Sequence, residues 1–248
     1  MTALILALTA GAVIGLALGA LGGGGSVLAV PALIYLLGFT PVAATTAGLV
    51  IVALTSVTAL SGHARDGHVR WGAGLLFAAA GIGPAMLGSA LAANIPAAAL
   101  QAAFALVAAG AALRMLRPRE EKEATRTTRP GRAAAAGAGL GAVTGVLGVG
   151  GGFLAVPALV GILGLRMRGA VGTSLLVITV NSLAALALRG GAITQLDWAV
   201  VAPFAGAAVL GAWDGRRLSS KVRGQTLQQI FAVALLAVAA FMLIDAVV

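Results

Sequence analysis

Apolar residues run in long unbroken stretches, separated by glycine, proline and short charged loops. The stretches cover about 3–21, 27–38, 42–62, 72–92 and 97–116, then 133–147, 153–164, 169–188, 198–214 and 225–247. They lack the period-two alternation of a transmembrane barrel strand. Most approach the ~20 apolar residues that carry a helix across a bilayer core. The pattern predicts an all-α polytopic membrane protein. Two stretches, 27–38 and 153–164, hold only about a dozen residues, or ~18 Å of helix, which is too short for a ~30 Å core. Each follows a cluster of glycines.

The two sets of stretches are copies of one unit. An ungapped offset of 126 places Gly11, Gly15, Gly19, Gly22, Gly24 and Gly25 on Gly137, Gly141, Gly145, Gly148, Gly150 and Gly151. The string LAVPAL is identical at 28–33 and 154–159, and Gly38 falls on Gly164. After one inserted residue the match continues, with Trp71 on Trp198 and Gly88 on Gly215. The chain, 1–248, therefore reads as a single membrane domain with repeat 1 at 1–116, a charged cytoplasmic linker at 117–132 and repeat 2 at 133–248. The linker, RPREEKEATRTTRPGR, has the composition of a mobile segment.

Composition supports the membrane assignment. The chain is 60% hydrophobic and 9% charged, far below the roughly 25% charge of a soluble domain. The net charge of +9 reads as basic loops that set topology, and nucleic acid is not an expected partner. Cysteine is absent, which excludes disulfides, thiolate chemistry and Cys-based metal sites. No cofactor is implied.

Charge placement then orients the copies. If the first two stretches of each copy enter and leave on the same side, Arg65, Arg70, the basic residues of 114–132, Arg166, Arg168, Arg216, Arg217, Lys221 and Arg223 all lie in the cytoplasm. Only Arg189 of the sixteen Lys and Arg lies outside. The parallel alternative leaves six outside, a much poorer fit to the positive-inside rule. The expected architecture is two inverted repeats, each a glycine-tipped helical hairpin, short or re-entrant, followed by three transmembrane helices. Both termini are expected outside.

This gives the glycines a role. The expected tips are Leu21–Ser26 and Leu147–Gly152, with helices starting just after them at Val27 and Phe153. Glycine permits positive φ and close approach, and a helix N-terminus attracts anions without a charged side chain. Candidate substrate-binding residues are Gly22, Gly23, Gly24, Gly25 and Ser26 of one tip and Gly148, Gly150, Gly151 and Gly152 of the other. The rows Gly11/Gly15/Gly19 and Gly137/Gly141/Gly145, spaced by four, read instead as helix-packing surfaces. No GK[ST] follows either tip, so nucleotide binding is not indicated.

Uncharged polar residues on the next helices add candidates. Thr45, Thr46, Thr173, Ser174 and Asn181 could complete the hydrogen bonds of an oxyanion; the competing reading is interhelical bonding or hydroxyls returned to the helix backbone. Arg189, and His63 aligned with it, are candidate vestibule residues, with interfacial snorkelling as the alternative. Asp214 is expected to pair with Arg216. No catalytic constellation appears, and His63, Asp66 and His68 make only a weak case for a metal. The chain does not read as an enzyme.

The duplicated G-x-x-x-G-x-x-G-x-G-G-G followed by LAVPAL, with GTSL at 172–175 and a D-W pair at Asp197-Trp198, resembles the sulfite exporter TauE/SafE family, also called the toluenesulfonate uptake permease family. The resemblance covers nearly the whole chain apart from the linker. The first copy departs from it with TTAG where the second has VGTS. The resemblance implies a multi-pass permease of the bacterial inner membrane whose partners are the lipid bilayer and a small sulfur oxyanion such as sulfite or an organosulfonate. An anion channel using the same glycine cradle is the alternative. Small-residue faces are compatible with a homodimer.

Overall fold

The computed structural model describes residues 2–92, 95–116, 130–146 and 152–247. Among these there is no strand. The elements are α1 (Thr2–Leu21), α2 (Gly24–Pro31, continued by a π turn over Ala32–Leu36), α3 (Pro41–Arg65), α4 (Trp71–Ala92), α5 (Ala97–Leu116), α6 (Pro130–Val146), α7 (Gly152–Gly161), α8 (Met167–Leu188), a one-turn α9 (Gly190–Ile193), α10 (Trp198–Lys221) and α11 (Gly224–Val247). Six described helices, α1, α3, α4, α8, α10 and α11, are long and apolar enough to cross a membrane. The chain is an all-helical, multi-pass membrane protein.

Helix boundaries follow local chemistry. Thr40 caps α3, its Oγ1 accepting from the Ala43 N–H at 3.4 Å, with Pro41 in the first helical position. Asp197 caps α10 by accepting from Ala199 N–H at 3.1 Å. The two short helices end alike. Gly38 and Gly164 both adopt positive φ, 71° and 70°. In each case the next residue donates back six positions, Phe39 to Leu33 and Leu165 to Leu159, at 3.0 and 3.1 Å. The positive-φ glycine is the usual helix stop, here closed by a bond one residue wider than a Schellman motif and repeated at the offset read from the sequence.

Three expectations need correcting. The helices after the tips start at Gly24 and Gly152, not at Val27 and Phe153. First-turn N–H groups have no intrahelical partner in any helix, so glycines fit there more easily than in a helix interior. Pro130, Gly131 and Arg132, assigned by sequence to the linker, form the first turn of α6, where proline at the start is favourable. Asp214 pairs with Arg217, one turn on, at 3.9 Å, while Arg216 crosses to Asp66 at 2.9 Å.

The copies are interlaced rather than side by side. α1 packs along α10 and α6 packs along α4, so each copy's first helix lies on the other copy's fourth. Both seams are built from small residues running in the same direction. Gly11, Gly15 and Gly19 face Phe204, Ala208 and Ala212, while Gly137, Gly141 and Gly145 face Phe77, Gly81 and Ala85. Lipid offers no hydrophobic drive between helices, so association rests on such close packing. The packing reading of these glycine rows therefore holds.

α3 and α8, equivalents in the two copies, form the centre. Their apolar windows are 61% and 56% buried, against 22% to 44% in the other long helices. They run antiparallel. Thr45 lies beside Arg189 at one end, Ser56 beside Thr179 part-way, and His63 beside Gly172 at the other end. Exchanging the copies maps the main helix pairings onto one another: α1–α10 onto α6–α4, α3–α10 onto α8–α4, and α2–α3 onto α7–α8.

Candidate functional site

The first tip is built by two glycines. Gly22 takes a φ of 76°, the left-handed conformation that ends α1, and its N–H donates to Leu18 O at 2.8 Å. Gly23 stands at the N-cap of α2 and has no side chain to satisfy the first-turn N–H groups. Both lie against the second copy. A Cβ at Gly22 would meet Ser174 Oγ at 2.7 Å and Val171 Cγ1 at 2.9 Å. A Cβ at Gly23 would meet Gly152 O at 2.5 Å and Phe153 Cα at 2.9 Å. The tip therefore touches the N-terminus of α7, whose helix dipole points its positive end at this contact.

Ser174 fastens the tip, its hydroxyl shared between Gly22 O at 3.3 Å and Val171 O at 2.8 Å. Its neighbour Thr173 is also fully buried and accepts from the Arg70 N–H at 3.1 Å. That bond ties the loop between α3 and α4 to α8. Phe153 stacks obliquely on Phe104 of α5, with ring centroids 4.8 Å apart, which fixes the start of α7 from behind.

The structure thus brings Gly22, Gly23, Gly152 and Ser174 together. Gly24, Gly25 and Ser26 follow in the first turn of α2; Gly148, Gly150 and Gly151 lie outside the described residues. Thr45 and Thr46 are elsewhere, near the start of α3, and both hydroxyls donate to Val42 O, at 2.9 and 3.0 Å. Thr45 also accepts from Arg189 Nη1 at 3.0 Å. His63 sits at the opposite end of the α3–α8 pair.

Midway between those ends, Thr179 and Ser56 join α8 to α3 by a 3.0 Å hydroxyl–hydroxyl bond. Comparing the repeats does not reveal Thr179, because its equivalent, Ala53, is apolar. Asn181, two residues further on, has a buried Oδ1 without a hydrogen-bond partner. An unsatisfied buried acceptor costs about 1–3 kcal/mol, so Asn181→Leu is expected to leave the thermal midpoint unchanged or raise it by a few degrees. A lowered midpoint would show that the amide makes a bond the fold depends on.

Among the described residues, no group of three His, Asp or Glu side chains is placed to hold a metal ion. The site's chemistry is that of backbone amides, hydroxyls and helix ends, which suits an uncharged cradle for an anion.

The sequence model of the family described as "Sulfite exporter TauE/SafE" matches residues 7–242. The chain belongs to the sulfite exporter TauE/SafE family. Two relatives from Xylella fastidiosa, strains Temecula1 and 9a5c, are each 33% identical over 97% of this chain and 95% of their own length. Both carry the name "Probable membrane transporter protein". No solved structure matches the chain. This TauE/SafE family member is accordingly a membrane transporter and not an enzyme. Its glycine tip lies inside the matched region.

Proposed function

We propose that this chain is a secondary transporter of small sulfur-containing oxyanions, such as sulfite or organosulfonates, across the bacterial inner membrane. The observation that carries the reading is the contact of the first glycine tip with the N-terminus of α7, between the two copies. Helix ends of broken spans at a repeat interface are where transporters of inverted architecture hold anions. The antiparallel run of α3 and α8 and the one-sided placement of Arg and Lys support that architecture.

Alternating access then moves bodies that are not the sequence copies. The glycine seams lock α1 to α10 and α6 to α4, so each rigid body takes its first helix from one copy and its fourth from the other. The two bodies rock about the α3–α8 pair, and the first tip opens first to one side and then to the other.

Flux into proteoliposomes tests the proposal, using sulfite, thiosulfate, sulfate, sulfoacetate and taurine with and without a pH gradient. Saturable uptake of one sulfur oxyanion, with counterflow, is expected. Unsaturating conductance would replace the transporter with an anion channel on the same cradle. If none of these anions moves, the oxyanion reading fails.

A further inference from the structure

At the His63 end of the α3–α8 pair, α3 and the loop after it, α8, α10 and α11 converge on a small pocket. Its lining includes His63 and Asp66 from the end of α3, His68 from the following loop, Arg168 from α8 and Arg216 from α10. It has room for about one water molecule. His63 is buried, and neither ring nitrogen makes a well-directed hydrogen bond, the nearest backbone partner being Gly19 of α1. The repeat explains the orphaned ring. At the other end of the pair Arg189 bonds Thr45; here the equivalent positions are His63 and Val171, and valine offers no acceptor.

The cations around His63 are engaged only by groups that an anion could replace or leave undisturbed. Arg216 Nη1 donates to Asp66 Oδ2 at 2.9 Å, and both side chains remain partly exposed. Arg168 spends Nη2 on the carbonyls of Ser220 and Val222, each at 3.0 Å, which leaves its other N–H groups. Gly62 makes the seat for Arg216, since a Cβ there would run into the guanidinium. Among the described residues, Asp66 is the only carboxylate lining the pocket.

We propose that this pocket is a second anion site, in which Arg216 exchanges Asp66 for a small oxyanion and His63 donates a ring N–H to it. Only the choice of a sulfur oxyanion rests on the transport reading above. Asp66 is a built-in competitor. It holds Arg216 when the site is empty and swings away when an oxyanion enters.

Competition gives the test its sign. Equilibrium binding of radiolabelled sulfite, and of sulfate in parallel, is measured on the purified full-length protein in detergent. Asp66→Asn is expected to tighten binding at least threefold. Arg216→Gln is expected to weaken it at least tenfold, and Gly62→Ala, which displaces the guanidinium without changing charge, should weaken it as well. A structural tie between α3 and α10 would respond alike to loss of either partner. Shifts in the same direction for Asp66→Asn and Arg216→Gln, or no measurable binding by the parent protein, overturn the proposal. A gain of affinity in Asp66→Asn cannot come from misfolding, so the test survives a poorly folded Arg216 variant. Gly23→Ala separates the two sites. If it abolishes flux while the opposed shifts persist, both readings stand. If flux survives Gly23→Ala and the opposed shifts still appear, the tip reading fails and the pocket remains.

Discussion

Replacing Gly141 by alanine is expected to lower the thermal midpoint by roughly 2–12 °C, whereas Gly139→Ala, two residues away in α6, should leave it unchanged or slightly raised. The added methyl at 141 would lie within 2.7 and 2.8 Å of Gly81 Cα and C, and closer still to its carbonyl oxygen. These are backbone atoms of α4, so no rotamer change relieves the clash. α4 and α6 must move apart by roughly 1 Å to restore ordinary contact. Overpacking of this kind costs about 1–3 kcal/mol, and each kcal/mol moves the midpoint of a chain this size by roughly 2–4 °C. Gly139 has nothing within 4 Å of an added Cβ, and alanine there gains up to about 1 kcal/mol of helix propensity. Thermal-shift size-exclusion in detergent reads both variants. Equal midpoints would mean that the α4–α6 seam does not hold the bundle together.

The same seam marks what a single sequence conveys and what it leaves hidden. The spacing of Gly137, Gly141 and Gly145 announces a close-packing face, and the structure places a helix backbone against all three. It does not name the partner. Every long helix here is apolar and rich in small residues, so the choice of α4 for α6, and of α10 for α1, depends on matching surface shapes. The ion pair between Asp66 and Arg216 is hidden for a related reason. A carboxylate at the end of α3 has Arg65, Arg70 and the basic end of α10 all within the same charged layer, and only the fold selects among them. The tip was legible because several glycines in an apolar run have few other uses. Its exact helix start was not, because first-turn glycines and tip glycines look identical in a list of residues.

Gly23→Ala is expected to reduce oxyanion flux on the order of 100-fold while shifting the thermal midpoint by only a few degrees. Gly23 lies against the second copy at the tip, and the change acts through contact with it. A methyl there would lie 2.5 Å from Gly152 O and 2.9 Å from Phe153 Cα, pushing the tip away from the start of α7. The long seams α1–α10 and α4–α6 carry most of the packing between copies. A cradle made of backbone N–H groups has no side chain to readjust, and a displacement of about 1 Å in a positioned site costs on the order of 100-fold. Ser174→Ala, which removes only the hydroxyl holding Gly22 O at 3.3 Å, should cost far less, about a tenfold fall or under. The ratio between the two variants is therefore the informative quantity. A large loss in Gly23→Ala with a small one in Ser174→Ala places transport at the backbone of the tip. Normal flux in Gly23→Ala would reduce the glycines to packing residues and move the search for the anion's path to the Arg216 pocket.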